Sequence, residues 1–430
     1  MATFRFRVMK LLVMALLSLA CMAREGPRGE DQVARASGLR PEVGSALYVH
    51  VPFCVAKCTY CDFYSLVPDG QDLPGTLDAL LLEAERRAPD RPRTVFLGGG
   101  TPSFYSISEL ARLLDGLDRH SRFRSSAQEV TCECNPESLD LAKARALHEL
   151  GVDRLSLGFQ SLEPRILALF GRVHDERASF AAFEAARGAG FERVSVDLIY
   201  GAPGQRLADW ERDLERVLAL RPDHVSAYQL TYEEGTPLTA RLRAGEFERL
   251  DEELERAFFD LTHGLLRAAG YEAYEVSNFS LSGQQCLHNV NYWENGPYLG
   301  LGPSAVSKIG PTRFGNPRSI QPWRQAIQAG RFPAVWEETP AAGVRLGETW
   351  WLGLRTRAGV EPAAACRAAR FEGGDPTTDL RRVLVGQGFL EASGERYRLT
   401  ERGWPVADAV ARRFLEACSG ARGGGTGEHE

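Results

Sequence analysis

Short apolar, β-branched runs alternate with amphipathic helical patterns from Ala46 onward, and this alternation restricts the chain to an α/β architecture with a parallel sheet. Ala46–Val51, Arg93–Leu97, Glu129–Glu133, Asp153–Leu157, Arg193–Ile199 and His224–Leu230 read as strands buried on both faces. Between strands, residues such as Leu207, Trp210, Leu214 and Val217 recur three or four apart and mark the buried face of a helix. Wound with the usual right-handed crossover, six such units form a partial (β/α)6 barrel, a fold whose chemistry collects at the carboxyl ends of its strands.

With 430 residues, 44% of them hydrophobic, the chain can bury a large core and still carry an attachment. The expected division is an N-terminal extension (1–44), the barrel (45–305), a Pro- and Arg-rich linker (306–342), a small, mostly helical C-terminal domain (343–419) and a disordered Gly-rich tail (420–430). In the small domain, Tyr397–Leu399 reads as a strand and Thr400 as the N-cap of a helix running toward Leu415. This domain lacks a basic face and reads as a lid or docking surface over the barrel mouth. Across the whole chain, 51 basic residues are interspersed with 57 acidic ones for a net charge of -6, a balance that argues against a nucleic-acid partner.

Nine cysteines in so long a chain do not make a disulfide scaffold, and Cys54, Cys58 and Cys61 crowd into eight residues. The C-x3-C-x2-C spacing places three thiolates on one short loop, enough to hold three irons of a cubane iron–sulfur cluster and leave the fourth open. A zinc site usually takes four ligands in pairs, and no second C-x2-C is present. Cys132 and Cys134 form a C-x-C on a strand, where the expectation is one sulfur on each face. A cluster fits a reducing, cytoplasmic setting. Against that, Arg5, Arg7 and Lys10 precede the apolar run Leu11–Ala20 in the outline of a signal peptide. The run is short for a span of about 20 residues, so an upstream start codon with Met22 as the true start is the preferred reading. Organelle targeting or membrane tethering is the alternative.

Further polar residues fall at the same ends of successive strands. Gly98-Gly99-Gly100-Thr101 follows the second, Glu133 ends the third, Gln160 follows the fourth, and Asp197 lies late in the fifth; Arg172 stands a little beyond Gln160. Glycines after a strand let the backbone approach a ligand closely.

The stretch from Leu47 to Phe63, LYVHVPFCVAKCTYCDF, resembles the cluster loop of the radical S-adenosylmethionine (SAM) proteins, in particular their HemN/HemW branch; the likeness runs over roughly residues 46 to 305, with a weaker echo to about 415. The resemblance implies a [4Fe-4S] cluster on Cys54, Cys58 and Cys61, with SAM on the open iron through its amino and carboxylate groups. It implies an electron donor too, since an electron from the cluster cleaves SAM to methionine and a 5'-deoxyadenosyl radical. Carried over residue by residue, Tyr48 lies against SAM, and Gly99, Gly100 and Thr101 receive its ammonium through backbone carbonyls. Glu133 and Gln160 contact SAM, Arg172 meets its carboxylate or an acidic neighbour, and Asp197 suits its ribose hydroxyls.

Two features separate the branches. Porphyrinogen oxidases of this family carry a further cysteine two positions after the third ligand, where this chain has Phe63. The segments YEVSNFS (Tyr274 to Ser280) and His288-Asn289-Val290-Asn291-Tyr292-Trp293, an HNxxYW motif, resemble the HemW branch, whose members are regarded as haem chaperones. The resemblance implies that the chain binds haem or a porphyrin and passes it to an acceptor protein, possibly a membrane-associated one. His288 is then the candidate haem contact with Asn289, Tyr292 and Trp293, because imidazole ligates iron and flat rings cover a macrocycle. The alternative is an oxygen-independent coproporphyrinogen III dehydrogenase, which decarboxylates propionate side chains.

Overall fold

The computed structural model describes residues 38–39 and 41–420; the basic and apolar run at the amino end, Met22 and the glycine-rich end beyond 420 lie outside the described residues. Strand β1 (Ala46–Val51) is followed by the cysteine loop and helix α1 (Leu73–Arg87). Next come β2 (Thr94–Gly99), α2 (Ile107–Ser121), β3 (Glu129–Cys134), α3 (Leu141–Glu149) and β4 (Arg154–Gln160). Helices α4 (Pro164–Phe170) and α5 (Glu176–Gly188) lead to β5 (Arg193–Tyr200), α6 (Leu207–Ala219) and β6 (His224–Gln229). The chain continues through α7 (Pro237–Arg243), α8 (Glu252–Ala268), β7 (Glu272–Ala273), β8 (Asn278–Ser280), α9 (Leu287–Trp293) and β9 (Tyr298–Leu301).

Helices begin where unpaired first-turn N–H groups meet a short acceptor. Asp72, Asp140, Asp175 and Asp251 cap α1, α3, α5 and α8, and Ser106 with Glu109 forms a reciprocal box at α2. Leu110, Leu113, Leu114 and Leu117 then turn one fully buried stripe of α2 inward, each such side chain contributing about 1.5–3 kcal/mol by its removal from water.

The sheet order is β12 (Trp336–Glu338)-β11 (Thr312–Gly315)-β10 (Val306–Ile309)-β9-β1-β2-β3-β4-β5-β6-β8-β7, twelve strands in which β9 and β1 to β6 pair in parallel. The expected partial barrel is therefore present, with β9 as a further parallel strand beside β1. Strands β2, β3 and β4 run one to three residues past the ends their apolar patterns predict. Among those extra residues, Gly98-Gly99, Gly158 and Gln160 carry no apolar side chain and break the hydrophobic runs, so the pattern ends before the pairing does.

The stretch read as a linker over 306–342 holds ordered structure: β10 (Val306–Ile309), β11 (Thr312–Gly315), α10 (Ile320–Gln328) and β12 (Trp336–Glu338). These strands add antiparallel to the β9 edge. Glu83, fully buried on α1, anchors the segment, accepting from Gly302 N (2.8 Å), Trp323 Nε1 (2.9 Å) and Asn316 Nδ2 (3.0 Å) while pairing with Arg87. Breaking such a buried, fully engaged carboxylate costs several kcal/mol, typically about 3–5 when one partner is removed.

The small domain follows as α11 (Ala342–Gly353), α12 (Pro362–Ala369), α13 (Thr378–Gly386), the hairpin β13 (Leu390–Ser393) and β14 (Arg396–Leu399), and α14 (Ala407–Ser419). The predicted strand is there. The helix begins later than Thr400, because Thr400 caps only a turn (Gly403 N to Oγ1, 3.1 Å) and a 3-10 turn at Trp404–Val406 precedes α14. A separate core forms around Leu346, Trp350, Leu354 and Phe414, with Trp350 stacked on Phe414 at 4.4 Å. Its contacts run to Phe259 of α8, to Tyr274 and Val276 (Arg357 N to Tyr274 O 3.0 Å, Val276 N to Arg355 O 3.1 Å) and to Asn295. The domain thus braces the flank and lower end of the barrel, where a lid over the mouth had been expected; buried apolar faces, not the cluster loop, decide where it docks.

Candidate functional site

The cluster loop leaves β1 at its carboxyl end and is held down along its length. Phe53, fully buried, packs against Tyr105 at a ring separation of 6.1 Å. Gly100 N and Thr101 N donate to Val51 O and Phe53 O, both at 2.7 Å. A side chain on Gly100 would place Cβ 2.7 Å from both those oxygens, so the β2 turn approaches the loop as closely as backbone allows. Lys57 folds back across the loop, donating to Phe63 O (2.5 Å) and Ser65 Oγ (2.8 Å). Thr59 ties it to two neighbouring βα turns, through Phe170 O (2.9 Å) and from Leu238 N (2.9 Å).

Cys54, Cys58 and Cys61 face one cavity at the strands' carboxyl ends, which holds about 1320 Å3 of empty space including its mouth. Burial raises the Cys54 thiol pKa and pushes Cys61 up to about 11, so ionisation at neutral pH requires a cationic partner such as iron. Donors are in place for the sulfurs: Thr101 Oγ1 lies 3.4 Å from Cys54 Sγ, and Arg172 Nη1 lies 3.4 Å from Cys58 Sγ. Asn135 joins the two, donating to Thr101 Oγ1 at 2.8 Å and accepting from Arg172 Nη2 at 2.7 Å. Among the described residues no three His, Cys, Asp or Glu side chains are grouped to hold a single metal ion. In a cube each thiolate takes its own iron, so three sulfurs spread along a loop suit a cluster and its corners.

Beside the loop lies a polar wall. Gly99, at φ +101°, has no room for Cβ, which would fall 2.4 Å from the His50 ring; its N–H donates to Glu133 Oε2 at 3.1 Å. Burial, then the nearby Asp197 charge, pushes the Glu133 pKa up to about 8 against that hydrogen bond. Asp197 is raised too, first by burial, while hydroxyls from Ser156 (2.8 Å), Ser226 (2.6 Å) and Ser195 (3.2 Å) hold its oxygens. Strand register accounts for the convergence, since Ser156 lies opposite Ser195 and Asp197 opposite Ser226. Gln160 ends β4 at φ +66° after a bulge, a left-handed conformation that costs a side-chain-bearing residue about 1–3 kcal/mol and turns it to the cavity.

The structure brings Gly99, Gly100, Thr101, Glu133, Gln160, Arg172 and Asp197 together around the cluster cysteines. Tyr48 shares its strand face with His50, as the alternation predicts, but stands behind the cavity wall with its hydroxyl on His50 Nδ1 at 3.0 Å. Of the HNxxYW group, Asn289 alone reaches the cavity. His288, Tyr292 and Trp293 are buried in α9, which docks at the amino ends of the strands, opposite the cysteines. Glu129, at the start of β3, accepts from Leu287 N (2.9 Å) and His288 N (3.0 Å). Both ring nitrogens of His288 are engaged, Nδ1 with Thr94 Oγ1 (2.8 Å) and Nε2 with Tyr292 OH (3.2 Å), and the ring stacks on Phe96. The expected haem contact therefore sits in a floor with no free nitrogen to offer.

The two sulfurs of the C-x-C pair are 4.0 Å apart on one face of β3, not on opposite faces, since residues two apart along a strand point the same way. Asn135 and Arg154 also border the cavity and were not singled out from sequence. Their signals were slight: an asparagine just past β3, and a lone arginine opening the apolar strand RLSLGFQ.

Residues 48–217 match the Radical SAM superfamily. Among curated relatives, the heme chaperone HemW of Mycobacterium tuberculosis is 38% identical over 387 residues, covering 88% of this chain and 97% of the relative. The chain belongs to the HemW family of radical SAM proteins. The HemW of Bacillus subtilis is 33% identical, covering 86% of this chain and 98% of that one. The mitochondrial radical S-adenosyl methionine domain-containing protein 1 of Bos taurus is 35% identical, covering 74% of each. In three dimensions the coproporphyrinogen III oxidase HemN from Escherichia coli superposes with a TM-score of 0.76 at 20% identity, covering 93% of this chain and 98% of that one, which establishes a shared fold. Membership in the HemW family implies a [4Fe-4S] cluster and SAM, and the thiol loop with its sulfur donors fits the cluster. Among the described residues no helix is long and apolar enough to cross a membrane, and all eight described cysteines are free thiols.

Proposed function

We propose that this HemW-family protein holds a [4Fe-4S] cluster on Cys54, Cys58 and Cys61, binds SAM beside it, and carries haem to an acceptor protein in a reducing, cytoplasmic setting. Phe63 carries the choice of haem transfer over oxidation. It lines the cavity where the porphyrinogen oxidases of the superfamily hold a further cysteine, so a ring that neither ligates nor transfers a proton stands in place of a thiol.

When bound, the cluster and SAM supply one-electron chemistry. The chain's own residues position and insulate. The Gly99–Thr101 turn offers backbone close to the cysteines, Glu133 and Gln160 present oxygens and an amide to a cationic cofactor, and Asp197 suits a ribose. Arg172 is occupied by Cys58, Asn135 and Gly158 O (2.8 Å), which makes it a clasp on the cluster loop in preference to a clamp on SAM carboxylate. Within the HNxxYW group, Asn289 faces this space, and His288, Tyr292 and Trp293 support its floor.

The test is an anaerobic titration of reconstituted protein with haem, followed at the Soret band, beside an assay with SAM and coproporphyrinogen III. Saturable haem binding without decarboxylation is expected. Turnover of coproporphyrinogen with no haem binding overturns the proposal in favour of a dehydrogenase.

A further inference from the structure

Arg154 opens β4 on the face that lines the cavity floor, and only 3% of its surface is exposed. Glu129 and Asp197 attract it through space, yet among the described residues no hydrogen bond or ion pair reaches its guanidinium. The two carboxylates are already occupied. Glu129 accepts from Arg193 Nη2 (2.7 Å), Leu287 N, His288 N and Cys286 Sγ (3.3 Å), and Asp197 accepts from its three serines. Arg172 and Arg193, the other arginines around this barrel interior, spend their donors on protein oxygens and, for Arg172, on the Cys58 sulfur.

A guanidinium carries five N–H donors in a rigid fork, and buried donors of this kind are ordinarily satisfied by protein, water or ligand. Here they turn toward open cavity space. The fork matches a planar carboxylate through two parallel hydrogen bonds, a geometry that a lysine ammonium does not reproduce. The nearest acids do not bar such a guest, because Glu129 is neutralised by Arg193 and backbone N–H groups and the Asp197 oxygens are turned to hydroxyls.

We infer that Arg154 is an anion seat at the bottom of the cavity, where it takes a carboxylate of the cargo through a bidentate pair. Resting on the haem-carrier reading, the inference names that carboxylate as a haem propionate. The cargo then enters propionate first, leaving its opposite edge toward the cluster end.

The test compares haem with haem dimethyl ester on cluster-loaded protein, reading dissociation constants at the Soret band. Wild type should favour the free acid by at least tenfold, Arg154→Gln should erase that preference with cluster content retained, and Arg154→Lys should restore only part of it. The acid-against-ester comparison on wild type needs no variant to fold. Equal affinity of wild type for acid and ester, or a Gln variant that keeps the preference, overturns the seat. If wild type does not bind haem, the carrier reading fails by itself, and coproporphyrin III against its tetramethyl ester decides the seat: a preference lost in Arg154→Gln supports it, and no preference overturns it.

Discussion

Arg172 Nη1 lies 3.4 Å from the Cys58 sulfur, so the turn that follows α4 grips the middle cysteine of the cluster loop. This grip extends through Asn135 to Thr101 and Cys54, joining three βα turns around two of the three sulfurs. Hydrogen bonds to a thiolate withdraw charge from it and fix its direction, which tunes a cluster's potential and its retention.

Arg172→Gln is therefore expected to fold but to lose its cluster to a chelator at least tenfold faster than wild type. A hydrogen bond to a charged group is worth about 1.5–3 kcal/mol, which sets that scale. Iron and sulfide content against time under anaerobic chelation measures it, and wild-type retention would show that Arg172 does not hold Cys58.

Glu133, at about 8, keeps its proton in the free protein at neutral pH. With SAM beside Glu133 as proposed, its sulfonium favours the ionised carboxylate, and binding should expel that proton. Affinity for SAM should rise between pH 6 and 8, by at most about tenfold per unit, and level off above. Glu133→Gln should flatten the profile; an unchanged slope in calorimetric titrations would assign the proton to another group.

His288 is lowered to about 4 by burial against an ordinary value of 6.5. The folded state thus resists a proton that the unfolded chain accepts, so the stability is complete above pH 6.5 and is lost as pH falls from 6.5 toward 4. His288→Ala should cost about 2–4 kcal/mol at neutral pH through an unpaired Tyr292 and Thr94 and the space left behind, and should lessen the acid sensitivity. Urea melts at pH 7 and pH 5 provide the check. Wild-type stability with weakened haem binding would return His288 to the ligand site.

The barrel was legible because Leu155, Leu157, Val194, Val196 and their neighbours are buried on both faces of a parallel sheet, which leaves an uninterrupted apolar run. Spacing alone located the cysteine loop. The β10–β11 hairpin escaped notice because its strands are four residues long and carry Lys308 and Arg313, charges that ordinarily mark a surface. Arg313 is nonetheless buried, paired with Glu338 and Glu348 that arrive from distant parts of the chain. His288 was misplaced for a related reason. A motif names residue types, whereas the side of the barrel on which α9 docks is set by Glu129 meeting the amino end of that helix, a contact spanning 159 positions.

Because α9 lies across the amino ends of the strands, the barrel is a sack and not a tunnel. Anything lodged against Arg154 has travelled past the three thiols on its way in and must travel past them again on its way out. With a single mouth, whatever enters last must leave first.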